Sequence, residues 1–119
     1  MGRDVGDFKE LDVWRVAMHV AGLVYAGTRE LPDDERFGLV SQMRRTAVSM
    51  ASNIAEGYGR GSRQDYIRFL HIARGAACEL ETQLLLCRQL GYAIDAETIL
   101  AQLRGWHQLM HGLLKTLHA

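Results

Sequence analysis

The side chains best suited to chemistry gather in residues 44–74, RRTAVSMASNIAEGYGRGSRQDYIRFLHIAR. Arg44, Arg45, Arg60, Arg63, Arg68 and Arg74 stand there against Glu56 and Asp65, six cations to two anions. A guanidinium is a planar fork of donors that pairs with phosphate or carboxylate. Arg44, Arg60, Arg63 and Arg68, with neighbouring Arg45 and the interleaved Tyr58 and Tyr66, fit a surface that contacts RNA or DNA phosphates and stacks bases. The same residues fit a solvated helix face with internal pairs such as Arg68 with Asp65. They also fit a boundary between subunits, where arginine and aromatic residues are enriched. Residues 1–43 carry five bases and eight acids and residues 75–119 three and four, so the whole chain is neutral. That balance limits the support for a nucleic-acid partner, because most domains that bind nucleic acid are basic overall.

The other reactive residue types lack the company that chemistry needs. His107 and His111 lie four apart on one helix face, a spacing that can hold a metal, but no glutamate lies between them and no Glu-x-x-His occurs in the chain. Ser49 and Ser52 have no histidine or lysine close in sequence to activate them. GYGRGS precedes a helix but follows another helix and lacks the GK[ST] ending of a phosphate loop. Glu56, Glu79 and Glu81 could sit inside a bundle, and ion pairs with Arg45 or Arg74 are the expected outcome there. Cys78 and Cys87 are nine apart, about 13.5 Å along a helix, too far for a mutual disulfide. Both are expected to be core thiols in a reducing cytoplasm. The reading is therefore of a protein that is not an enzyme, with no metal and no cofactor.

Helices must position these residues. The chain has 119 residues and one proline, Pro32, and is 48% hydrophobic, which suits one helical domain. Residues 1–10 read as a flexible arm, apart from Phe8, and 11–119 as the domain. The first residues have no apolar leader and no apolar run approaches 18 residues, so the chain is expected in the cytoplasm and not in a membrane. Four helices are expected at about 12–29, 35–56, 62–90 and 96–117. The first begins at an Asp12 cap and buries Trp14, Ala17, Met18, Ala21, Val24, Tyr25 and Thr28. The second buries Leu39, Met43, Ala47, Met50 and Ile54, and ends at a Gly57 or Gly59 cap. Ser62 with Asp65 opens the third, which buries Tyr66, Phe69, Leu70, Ala73, Ala76, Ala77, Leu80, Leu84, Cys87 and Leu90, and whose small-residue middle, 73–77, is expected to let a neighbouring helix approach closely. Gly91 closes it, and Asp95 opens the fourth, with Trp106, Leu109, Met110, Leu113, Leu114 and Leu117 on its buried face. This is an all-α, up-down-up-down four-helix bundle with antiparallel neighbours. Gln42, Arg45, Ser49, Ser52, Asn53 and Glu56 form an unusual polar strip beside the apolar stripe of the second helix, with Glu79 on the third as a further polar candidate.

Residues 11–92 resemble the four-helix-bundle family named after the 23S rRNA intervening-sequence protein, also called S23. The likeness rests on Leu11 to Trp14, Pro32 with Glu35, Gly38-Leu39, Gln42, Arg44-Arg45, Ser52-Asn53-Ile54-Ala55-Glu56-Gly57 with Arg60, Phe69-Leu70 with Ala73, and Glu79-Leu80. The resemblance implies a small bacterial cytosolic bundle assembled into a homopentameric ring. The architecture is also similar to the accessory variability determinant of diversity-generating retroelements, whose members are strongly basic and bind nucleic acid; this chain departs from them in being neutral. A closed ring needs two different faces of each protomer to meet. Exposed Phe37, Tyr58 and Tyr66 and the region 53–63 are expected at that boundary. The resemblance leaves two functions open: a ring that binds RNA or DNA through its arginines, or a scaffold that binds protein partners and no nucleic acid.

Overall fold

In a computed structural model, which describes residues 7–119, four helices run up, down, up and down: α1 Asp12–Gly27, α2 Ser41–Gly59, α3 Arg63–Gln89 and α4 Ala96–His118. Each helix packs on the next in sequence, and α4 returns to α1, which closes a four-cornered bundle of 49 × 22 × 19 Å. Among the described residues there is no strand. The part of the expected arm in residues 1–6 lies outside the described residues. Phe8–Glu10 forms a short 3-10 turn, and the Phe8 ring meets Trp14 edge-on at 5.3 Å.

The helix ends follow from backbone groups that need partners. Leu11, not Asp12, is the N-cap of α1, and Asp12 occupies the first turn, where its charge suits the positive end of the helix. The last turn of that helix tightens into a 3-10 turn at Thr28–Glu30. The second helix starts later than its sequence pattern predicts. A 3-10 turn at Asp33–Glu35 and a wide π-type turn at Arg36–Val40 come first, because Gly38 leaves helical geometry at φ −102°, ψ −110°. Glu35 fills the gap: its Oε1 accepts from the Leu39 N–H at 3.2 Å. A Cβ on residue 38 would lie 2.7 Å from that oxygen, so the position suits glycine. The other Glu35 oxygen accepts from the Tyr92 hydroxyl at 2.7 Å, which ties the entry of α2 to the α3–α4 turn. These bonds hold the Glu35 carboxyl below its usual range and push the Tyr92 hydroxyl up to about 12.

Neither Gly57 nor Gly59 caps α2; both are helical, and Gly61, at φ +80°, makes the turn. Gly57 serves packing instead. A Cβ there would lie 2.5 Å from the Phe69 Cβ and 3.3 Å from the Tyr66 carbonyl oxygen, so the missing side chain lets α3 approach α2 closely at this point. The small run Ala73–Ala77 does not play that part through its glycine, since Gly75 faces open space. Ser62 opens α3 as expected by accepting from the Asp65 N–H at 3.0 Å. Gly91, at φ +74°, closes it, with Gly91 N–H donating to the Arg88 carbonyl and Tyr92 N–H to the Cys87 carbonyl. Asp95 caps α4 through the Thr98 N–H and hydroxyl.

The core is mainly apolar, with Thr28, Thr46 and Gln83 as buried polar residues, and Trp106, the largest buried side chain, donates its indole N–H to the Val13 carbonyl at 2.9 Å. The buried face of α1 is Val13, Ala17, Val20 and Val24; Met18 and Tyr25, expected inside, are exposed. The apolar run of α1 is wide enough to support either rotation, and the Phe8 contact holds Trp14 at the rim. Leu90 and Leu109 are also exposed. Cys87 is buried, its thiol 3.7 Å from the Met43 sulfur, but Cys78 is exposed and not a core thiol. Both thiols are free.

Two glycines on packed helices should therefore respond oppositely to alanine. Gly57→Ala is expected to cost about 1–3 kcal/mol through overpacking against Phe69. Gly75→Ala is expected to add roughly 0.5–1 kcal/mol through helix propensity alone. Urea unfolding of the two variants checks the contrast.

Candidate functional site

The arginines of residues 44–74 do not form one free cationic face. Arg44 is a staple. Its Nε donates to the Thr28 hydroxyl at 2.9 Å, its Nη2 to the Tyr25 carbonyl at 3.2 Å, and its guanidinium lies 4.6 Å from the Tyr25 ring. It thus places a cation and donors at the C-terminal end of α1, where carbonyls lack helical partners. Arg60 pairs with Glu56 at 3.0 Å and, with Arg68, brackets the Phe69 ring. Arg68 also lies 3.8 Å from Asp65, Arg63 donates to the Ala119 oxygen at 3.3 Å, and Arg74 meets the His71 Nδ1 at 3.0 Å. Among the described residues Arg45 bonds only the Ser41 hydroxyl, at 3.0 Å. The structure therefore separates this set: Arg44 and Arg45 lie near the start of α2, and Arg60, Arg63 and Arg68 surround the α2–α3 turn.

Tyr58 and Tyr66 pair with each other edge-on at 5.7 Å and are half-buried, not open platforms. The Tyr66 hydroxyl is enclosed without a hydrogen-bond partner, and burial pushes it up to about 12, with the nearby Tyr58 adding to the shift. The expected pairing of the carboxylates with Arg45 or Arg74 does not occur. Glu56, Glu79 and Glu81 are all exposed; Glu56 takes Arg60, and Glu81 lies 3.9 Å from His107. Helix rotation explains this for α3: the small residues Ala73, Ala76 and Ala77 take its inner face and turn Glu79 and Glu81 outward. Among the described residues no group of three or more histidine, cysteine or acidic side chains is placed to hold a metal.

Part of the polar strip comes together, while Ser52, Asn53 and Glu56 do not line the groove that it forms. Gln42, Arg45 and Ser49 of α2 and Glu79 of α3 line a groove along the α2–α3 face, with Phe37 and Ser41 at one end and Thr46 in its wall. Ser49 accepts the Asn53 amide through both its carbonyl and its hydroxyl, so Ser49 is held as an acceptor and not poised as a nucleophile. Thr46 donates to the Gln42 carbonyl at 2.7 Å and accepts from the buried Gln83 amide at 3.3 Å. The Gln83 carbonyl oxygen is enclosed without a partner. A second groove, on the α1–α2 face, is lined by Tyr25, Arg36, Val40, Arg44 and Val48, and Phe37 borders both grooves. Phe37 is 86% exposed, by far the most exposed large apolar side chain of the described residues. Sequence reasoning named Phe37 but missed Thr46 and Gln83; a threonine and a glutamine at buried helical positions are the signal that could have found them.

The Tyr66 hydroxyl makes a pH prediction. An unfolded tyrosine titrates near 10 and the folded Tyr66 near 12. The folded state thus keeps the proton that the unfolded chain releases, and stability is full below pH 10 and falls as pH rises toward 12. Tyr66→Phe should flatten that alkaline loss without weakening the fold at pH 7, as read by thermal unfolding across pH 8–12.

Residues 9–112 match the family model described as 23S rRNA-intervening sequence protein. No curated protein matches the chain. The fold is similar to that of a protein of unknown function from the S23 ribosomal protein family of Bacteroides thetaiotaomicron VPI-5482, with a TM-score of 0.78 and 25% identity over 87% of this chain and 95% of that one. With its helical bundle, its matched residues and its structural neighbour in agreement, the chain belongs to the 23S rRNA-intervening sequence protein family.

Proposed function

We propose that the protein is a non-enzymatic assembly unit of the bacterial cytoplasm, whose bundles join side by side into a closed homo-oligomeric ring, pentameric as the family resemblance implies. The ring acts as a scaffold for protein partners. One observation carries this reading: Phe37 stands 86% exposed where two grooves meet. An aromatic ring held in water at such a junction gains most from burial against another surface, and aromatic anchors in pockets dominate interface energies.

A second reading, a ring that binds RNA or DNA, is favoured by the grouping of Arg60, Arg63 and Arg68 around the α2–α3 turn. Their internal pairs are exposed, and exposed pairs contribute little, so phosphate can compete for them. Repetition around a ring would multiply a weak site.

Two measurements test these readings. Phe37→Asp should lower the assembly state in sedimentation velocity while circular dichroism stays that of a folded bundle; unchanged assembly would count against Phe37 as an assembly contact. Filter binding to RNA at about 50 and about 200 mM salt tests the second reading, which requires retention that falls steeply with salt and weakens in the Arg60→Ala, Arg63→Ala double variant. No retention at the lower salt leaves the scaffold reading alone.

A further inference from the structure

We infer that the face where α3 begins and α4 ends binds the phosphate backbone of a nucleic acid, and that His71 and His118 make this binding tighten as pH falls. The inference rests on the nucleic-acid reading above, carries its surface beyond the α2–α3 turn and names what regulates it.

Two contacts between the helices build the face. Arg63, at the start of α3, donates to the Ala119 oxygen just past α4 at 3.3 Å. Further along α3, His71 meets His118, with ring centroids 6.1 Å apart. Arg74 donates from Nη2 to the His71 Nδ1 at 3.0 Å. Lys115 stands one turn before His118 on α4. Arg63, His71, Lys115 and His118 are exposed and Arg74 is half-buried. From Arg63 to Arg74 the row spans about 16 Å of helix. A row of that length meets several phosphates at once, which suits a polymer better than a single anion.

Carboxylates nearby are engaged elsewhere. After Glu97, α4 carries no acid. On α3, Asp65 pairs with Arg68, Glu81 lies beside His107, and Glu79 borders the α2–α3 groove. On the other helices that pack here, Glu56 of α2 pairs with Arg60 and Asp12 of α1 with Arg15. The charges that act on His71 are cationic. Desolvation, then Arg74 and His118, hold its titration below the usual range. The ring thus reports a positive field at this face.

The same contacts couple anion binding to protons. Neutral His71 accepts from Arg74 through Nδ1, so the guanidinium is tied to the ring. A proton at Nδ1 turns that acceptor into a donor, ends the bond and frees Arg74 for a phosphate oxygen. An anion seated there favours the imidazolium in return. The histidines therefore titrate higher in the complex than in the free protein, and binding takes up protons. Affinity is fullest below the free range and falls as pH rises through the bound one.

Fluorescence anisotropy of the full chain with a uridine homopolymer, whose bases stay neutral throughout, tests this at one ionic strength. Binding should be about 10-fold tighter at about pH 5.5 than at about pH 7.5. The His71→Gln, His118→Gln double variant should flatten that profile. The Arg74→Ala, Lys115→Ala double variant should bind more weakly at both pH values, with circular dichroism still that of a folded bundle. Three results would each overturn this face and leave binding through Arg60, Arg63 and Arg68 standing: equal wild-type affinity at both pH values, a tightening that survives in the histidine variant, or unchanged binding by the Arg74, Lys115 variant. Polyaspartate bound as tightly as the RNA would overturn the assignment to phosphate. No RNA binding at either pH would overturn both readings.

Discussion

The bundle depends on the close approach of α2 to α3 at Gly57. The missing side chain lets the Phe69 Cβ occupy the space where a Cβ would sit, and the two helices then run together along the length of α2. Dispersion and burial both fall off steeply with separation, so one glycine at the contact controls how well the rest of the seam packs. Part of the candidate site hangs on this seam. It sets the α2–α3 face on which Gln42, Arg45, Thr46, Ser49 and Glu79 converge, and it holds Phe69, on which Arg60 and Arg68 rest.

A second constraint works at the opposite end of α2. Glu35 is shared between the Leu39 N–H and the Tyr92 hydroxyl, so the helix is entered through a widened turn that is pinned to the α3–α4 connection. The two neighbours Arg36 and Phe37 are carried outward by that turn, which is why an apolar ring stands in solvent at a position that a regular helix would not emphasise. Arg44 secures the same end from the α1 side through Thr28 and the Tyr25 carbonyl. The basic residues thus divide by role. Arg44 belongs to the fold, Arg45 to the groove, and Arg60, Arg63 and Arg68 to the turn at the far end, where their partners are exposed.

Much of this was legible in the sequence because it is written in local patterns. Ser62, Gly91 and Asp95 act as caps where their types and spacings place them, and Leu39, Met43, Ala47, Met50 and Ile54 are buried as their periodicity requires. The misreadings share a physical origin: each depends on a neighbour distant in sequence. Gly57 reads as a helix stop until Phe69 is seen against it. Met18 and Tyr25 belong to a stripe wide enough to rotate, and only packing by the other helices selects Val13, Ala17, Val20 and Val24. The π-type turn cannot be read from its residues, because it needs Tyr92 to hold Glu35. The charge run from Arg44 to Arg74 looked like one unit because the residues are consecutive, whereas a helix of 19 residues and a turn divide it between two ends of the molecule.

On the proposed reading a lone bundle is an incomplete object, with an exposed aromatic side chain, Phe37, that another copy covers. Native mass spectrometry of the unmodified protein tests it most directly. A pentameric ring of 13.4 kDa chains predicts a discrete particle of five chains, about 67 kDa, that persists on dilution. A single species of 13.4 kDa at all concentrations would contradict it.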